Sequence, residues 1–244
     1  MIDTVVIFGD SFNYGHGCKD RIFYYDEKTK QMIGAKLNED IPSDYCWGSL
    51  LQKKYPDIKV HNFAGPGRCN QEIFRDFLEF SESDPGPKEN TVVFFQITNP
   101  DRIEILNGSD DTASYVLSNA DMHEDHVGQA VRSYIKNLYH PKIGENLGFM
   151  TMLSAYALAK LQRICKFYWS GGRFSYPKET YHFLLSANEL KRQNILDIRN
   201  MVFSSTFWDE EDRRHRSPDN HINELGHQAY FDRIIDPIIQ QHLK

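Results

Sequence analysis

Long hydrophobic runs are missing from these 244 residues, and no apolar stretch approaches the roughly 18 residues that span a bilayer. The chain opens Met1-Ile2-Asp3 and enters an apolar strand-like run at once, with no basic leader or signal core ahead of it. Those two absences predict a cytoplasmic protein without a membrane span. Cysteine is scarce: Cys18, Cys46, Cys69 and Cys165 are scattered, without the CxxC spacing of a redox or zinc motif. Reduced thiols are the expectation, and sequence leaves a disulfide open because it carries no distances. Positive charge is in deficit, with 28 Lys and Arg against 34 Asp and Glu and a net charge of −6. That balance argues against a nucleic-acid partner, which calls for a basic stripe. There is no internal repeat and no Gly-, Ser- or Pro-rich linker, so residues 1–244 are expected to form one domain. There is also no Gly-x-Ser-x-Gly elbow, which excludes the usual α/β-hydrolase nucleophile. No HExxH is present; the run Asp121-Met122-His123-Glu124-Asp125-His126 has metal-ligand residue types in the context of a solvated loop, so no metal and no other cofactor is expected.

What is present is the balance of a globular protein, 40% hydrophobic and 25% charged. Val5-Val6-Ile7-Phe8 is a β-branched run ending in Gly9-Asp10-Ser11, the pattern of a strand covered on both faces that stops in a loop. Strands are also expected at 58–63, 91–98 and 164–169, with a short fifth at Met201-Val202-Phe203. Between them, helices are expected over about 45–55, capped by Ser43-Asp44, over 70–80, 128–138 and 145–163, in the later part of 173–200, and from Asn223 or Glu224 onwards. The helix over 145–163 is apolar on more than one face and predicts a well-buried element. Residues 18–41 read as a surface loop or hairpin. Strands alternating with helices predict a parallel sheet between helical layers. In such sheets ligands bind beyond the carboxyl ends of the strands, where Ser11 stands.

A serine hydroxyl is a weak nucleophile until a neighbouring base takes its proton and an acid orients that base. Asp219 and His221 supply both residue types just before the last helix. The serine comes first in the chain and the acid and base last, close together, whereas an α/β-hydrolase carries its serine in a Gly-x-Ser-x-Gly elbow mid-chain. His227, in an apolar helical setting, reads as a packed histidine. Asp10 reads as a bond to its own loop backbone, Asn70 as a helix cap, and Arg102 as a salt-bridge partner.

Gly9-Asp10-Ser11-Phe12 resembles the first block of the GDSL or SGNH hydrolases. Asn62-Phe63-Ala64-Gly65-Pro66-Gly67-Arg68-Cys69-Asn70 resembles their second block. Asp219-Asn220-His221, followed by Asn223-Glu224-Leu225-Gly226-His227, is similar to their last. The blocks run from residue 7 to residue 227 in the family's order. The resemblance implies a three-layer α/β/α fold, flavodoxin-like, with a mostly parallel sheet of about five strands. It implies ester hydrolysis in which Ser11 attacks the carbonyl, His221 acts as general base and then general acid, and Asp219 orients the imidazole. The oxyanion hole would comprise the backbone N–H groups of Ser11 and Gly67 and one side-chain donor. Two departures stand out. The position three before His221, where the family has Asp-x-x-His, is Pro218, with Asp219 only two before. The third block, usually Gly-x-Asn-Asp, aligns with Gln96 at the glycine and Thr98 at the asparagine, so the side-chain donor is Asn99 after a one-residue shift, or Thr98. No long apolar lid is evident, which points to a small-acyl or carbohydrate ester as substrate, with residues 101–145 as the specificity insert. An O-acyltransferase using the same residues and an inactive binding module of the same fold are the alternatives.

Overall fold

The computed structural model describes residues 1–26, 28–34, 41–83, 88–98, 102–107, 111–116, 126–138, 140–171, 195–197, 214–218 and 221–243. In chain order the strands are β1 (Thr4–Phe8), β2 (Phe23–Asp26), β3 (Gln31–Gly34), β4 (Lys59–Asn62), β5 (Thr91–Ile97), β6 (Arg102–Asn107), β7 (Asp111–Val116), β8 (Lys166–Gly171) and β9 (Ile195–Asp197). The helices are α1 (Ser11–Tyr14), α2 (Trp47–Lys54), α3 (Asn70–Ser83), α4 (His126–Asn137), α5 (Pro141–Leu161), α6 (Glu224–Tyr230) and α7 (Asp236–Leu243). A π-helical turn, Phe231–Ile235, joins the last two.

Five strands pair in the order β4-β1-β5-β8-β9, and every pairing is parallel. Counted along the chain these five run 2-1-3-4-5, the doubly wound order in which the crevice opens at the carboxyl ends of the first and third strands. Here those strands are β1 and β5, with Phe8 at the end of β1 opposite Phe95 of β5.

Side-chain alternation along each strand sorts the core onto two faces. Val5 and Ile7 of β1, Val92 and Phe94 of β5, and Tyr168 of β8 pack with Trp47 and Leu51 of α2 and with Tyr230, Ile235 and Ile239 of the C-terminal helices. Val6, Phe8, Val93, Phe95, Phe167 and Trp169 point the other way, onto Ile73 and Phe77 of α3 and Met152, Ala155 and Ala159 of α5. A strand that must be apolar on both faces reads as a continuous hydrophobic run, as β1 and β5 do. The result is a three-layer α/β/α arrangement around a parallel sheet, as expected.

Several local expectations are corrected. The fifth strand is Ile195–Asp197, inside a stretch expected to be helical. It completes the open edge of β8, with Phe167 opposite Ile195, and ladder pairing decides a segment this short. The expected strand at Met201-Val202-Phe203 lies outside the described residues. Helix α5 begins earlier than predicted, at Pro141, whose fixed φ suits a first helical position. It is buried on one face only: Ile143, Leu147 and Met150 are 41%, 46% and 60% exposed. Ser43 and Asp44 do not cap α2, whose N-cap is Cys46 without a side-chain bond. Instead Ser43 Oγ and the Asp44 backbone N–H both donate to the Asp20 carboxylate, at 2.6 and 2.9 Å. The weakly patterned stretch after β5 contains an antiparallel hairpin, β6–β7, that periodicity missed. The stretch 18–41 does contain a hairpin, β2–β3. All four cysteines are free thiols.

Candidate active site

Ser11 is the first residue of α1, directly beyond the carboxyl end of β1. Asp10 is the N-cap, its Oδ1 accepting from the Phe12 N–H at 3.0 Å. Such a bond satisfies one of the donors that a helix leaves open at its start. The turn closes at Gly15, in the left-handed region at φ 87°. Ser11 is buried, at 2% exposure. His221 lies on the segment before α6, whose N-cap Asn223 accepts from the N–H groups of Leu225 and Gly226. Its Nε2 lies 3.1 Å from Ser11 Oγ, within hydrogen-bond reach across 210 positions of sequence.

Gly67 lies in the loop between β4 and α3 at φ 77°, and a Cβ there would meet nothing within 4 Å. The backbone therefore calls for glycine, and the space in front of it is open. The loop is anchored by Arg68, which pairs with Asp76 and donates to the Phe63 carbonyl at 3.0 Å. Asp219 and Asn99 lie outside the described residues.

Thr98 is described, and its side chain is engaged: Oγ1 donates to Asp10 Oδ2 at 2.5 Å and its N–H donates to Asn70 Oδ1 at 2.8 Å. Asn70 thus ties the start of α3 to the end of β5 and does not cap its own helix. Glu72, in the first turn of α3, reaches back to accept from the Cys69 N–H at 2.8 Å. Asp10 does more than bond its own loop. Gln96 Nε2 donates to it at 2.7 Å, and Arg102 forms an ion pair with it at 3.2 Å. A carboxylate only 3% exposed needs such donors, since burying it without partners would cost several kcal/mol. Gln96 also explains Gly9: a Cβ there would come within 2.5 Å of Gln96 Oε1. The alignment marked Gln96 as a departure; its link to Asp10 appeared only once β1 and β5 were side by side.

Sequence reading also missed His16. Its ring lies parallel to that of His221, with centroids 4.0 Å apart and planes 2° apart. The available signal was a histidine between two glycines, just after the serine. His227 is packed, as expected: it is 1% exposed, its Nδ1 accepts from the Trp47 N–H at 3.4 Å, and burial lowers its pKa to about 4. Burial pushes the Cys18 thiol up to about 12 and raises Cys46 as well, so neither offers a thiolate near neutrality.

Among the described residues no group of three or more His, Cys, Asp or Glu side chains is arranged to hold a metal ion. Residues 121–125 of the His/Asp/Glu run lie outside the described residues. Also among the described residues, no helix is long and apolar enough to cross a membrane. An open depression of about 360 Å³, lined by Arg214, Leu225, Gln228 and Arg233 among others, does not include Ser11, Gly67 or His221.

Residues 5–234 match the profile of the GDSL-like Lipase/Acylhydrolase family. The chain belongs to that family. Membership makes it an ester hydrolase, with the family's serine site and oxyanion hole. Solved structures of low sequence identity share the fold. A member of the lipolytic G-D-S-L family from Veillonella parvula superposes with a TM-score of 0.51 at 12% identity, covering 96% of each chain. Phospholipase A1 from Streptomyces albidoflavus gives 0.52 at 10% identity, covering 97% of this chain and 99% of that one. No curated protein matches the sequence.

Proposed function

We propose that this GDSL-family ester hydrolase works through an acyl-serine intermediate at Ser11. The observation that carries the reading is the 3.1 Å separation of Ser11 Oγ and His221 Nε2. His221 takes the serine proton as Oγ attacks the ester carbonyl and returns it to the leaving alcohol. A water then enters by the same route in reverse. Asp219, two positions from His221, is assigned to orient the imidazole.

The oxyanion is met by the backbone N–H groups of Ser11 and Gly67. The open space in front of Gly67 supports that role, since a developing charge must come close to the N–H. Asn99 is assigned as the third donor. The alternative, Thr98, already gives its hydroxyl proton to Asp10, which favours the residue after it. The substrate is a small-acyl or carbohydrate ester, and residues 101–145 form the specificity insert of a single 1–244 domain. The reading of that insert is supported by the β6–β7 hairpin, which starts at the carboxyl end of β5 beside the site and lies outside the central sheet.

The test is a set of short p-nitrophenyl esters assayed with the native protein, Ser11→Ala, His221→Ala and Asp219→Asn. Loss of turnover by about a thousandfold or more is expected for the first two variants, and a serine-directed phosphonate should label Ser11. Native protein that neither turns over any ester nor takes the label would overturn the reading. Unchanged turnover in Asp219→Asn would move the acid role to another residue.

A further inference from the structure

Immediately after the nucleophile turn the chain reads Gly15-His16-Gly17, and both glycines are there for geometric reasons. Gly15 has φ 87°, and a Cβ on it would stand 2.6 Å from the Ser43 Cβ and 2.8 Å from the Cys46 Cβ. Gly17 has φ 103°, and a Cβ there would come within 2.7 Å of the His221 Cβ and 2.8 Å of the Ile222 carbonyl. The loop is thus wedged between the start of α2 and the segment carrying His221, with His16 presented between two fixed points. The His16 N–H donates to the Ser11 carbonyl at 2.9 Å. Its half-buried ring lies flat on the His221 ring at 4.0 Å. Phe12 approaches the same imidazole at 5.5 Å, tilted by 42°.

We infer that His16 is the positioning residue of this site: its flat ring holds the His221 imidazole in the one orientation that points Nε2 at Ser11 Oγ. The inference rests on the reading of Ser11 and His221 as nucleophile and base. Rotation of His221 about its Cβ–Cγ bond would swing Nε2 away from the serine, and a parallel ring at van der Waals distance blocks that rotation. An orienting acid fixes an imidazole through one nitrogen in the ring plane, whereas a stacked ring fixes the plane itself. Displacement of a reacting group by about 1 Å can cost on the order of a hundredfold in rate. Because His16 acts through the base on which it stacks, its loss should appear in kcat and leave KM almost unchanged.

The experiment compares native protein with His16→Ala, His16→Leu and His16→Phe, using p-nitrophenyl acetate turnover, thermal unfolding and NMR of the ring protons of His221. His16→Ala and His16→Leu should lower kcat by about tenfold to a hundredfold with KM within about twofold, and His16→Phe should recover to within about threefold of native. Leucine fills the space without a flat ring, so it keeps the comparison decisive if the alanine variant folds poorly. The His221 ring signals should move in Ala and Leu and stay near native in Phe. Unchanged kcat in Ala and Leu, failure of Phe to recover, or a change confined to KM would each overturn the positioning role. Unmoved His221 signals in Ala and Leu would overturn it independently of activity. A native protein that shows the stack by NMR but hydrolyses no ester would sink the catalytic reading of Ser11 instead.

Discussion

Asp10 is the residue on which the surroundings of Ser11 converge. It caps the nucleophile turn while accepting from Gln96, Thr98 and Arg102, three residues of the β5–β6 region. Arg102→Gln removes a cationic partner of that buried carboxylate and should destabilise the protein by about 2–3 kcal/mol. A lower urea midpoint with an unchanged m-value would record it. Turnover should fall too, because the cap carries the serine. A stability loss with full activity would show that the Ser11 turn does not need this support. Two glycines give a paired prediction. Gly17→Ala meets both a left-handed backbone and the His221 Cβ, so urea unfolding should show a loss of about 2 kcal/mol or more. Gly67→Ala meets the backbone cost alone, about 1 kcal/mol, because the space in front of it is open. Equal losses at the two positions would contradict the crowding at Gly17.

Among the elements, α5 most clearly separates what local pattern can tell from what packing decides. Its sequence is apolar around most of the helix, yet only the face with Met152, Ala155, Tyr156 and Ala159 meets the sheet and α3. Two alanines at close-packed positions leave no room for growth. Ala155→Leu should destabilise by about 1–3 kcal/mol through overpacking, whereas Met150→Lys, on the exposed face, should change stability by less than about 0.5 kcal/mol. Thermal unfolding of the two variants checks both, and a large loss from Met150→Lys would mean that this face is covered. The β6–β7 hairpin is held differently, by Arg75 on α3 donating to both oxygens of Glu104 at 2.5 and 2.6 Å. That is a bond between partly exposed side chains, and no periodicity in the sequence announces it.

For the molecule as a whole, His227 links global stability to pH. Buried between α2 and α6, it is held neutral, with burial lowering its pKa to about 4 from an ordinary 6.5. Between those values the unfolded chain binds a proton that the folded protein does not, so stability rises with pH through that window and is lost as pH falls from about 6.5 towards 4. The full loss is on the order of 3 kcal/mol. His61 and His242 are also lowered by burial and act in the same direction. His227→Gln keeps an acceptor for the Trp47 N–H and should flatten the acid side of a urea-midpoint profile measured from pH 4 to pH 8. An unchanged slope would assign the acid sensitivity to other groups.

The sequence by itself determined the layered α/β class, because strands buried on both faces must be written as unbroken apolar runs. Val5 to Phe8 and Val92 to Phe95 are such runs, whatever surrounds them. It also singled out Ser11, Gly67 and His221, since short blocks with fixed local chemistry survive in one dimension. Only the tertiary structure decided which side chains meet across the sheet. Gln96, Thr98 and Arg102 converge on Asp10 because β1 and β5 are neighbours in register. His16 lies on His221 because two loops more than two hundred positions apart share one end of that sheet. The fifth strand was decided the same way: Ile195–Asp197 is extended because β8 offers an open edge, and three residues carry too little pattern to say so alone.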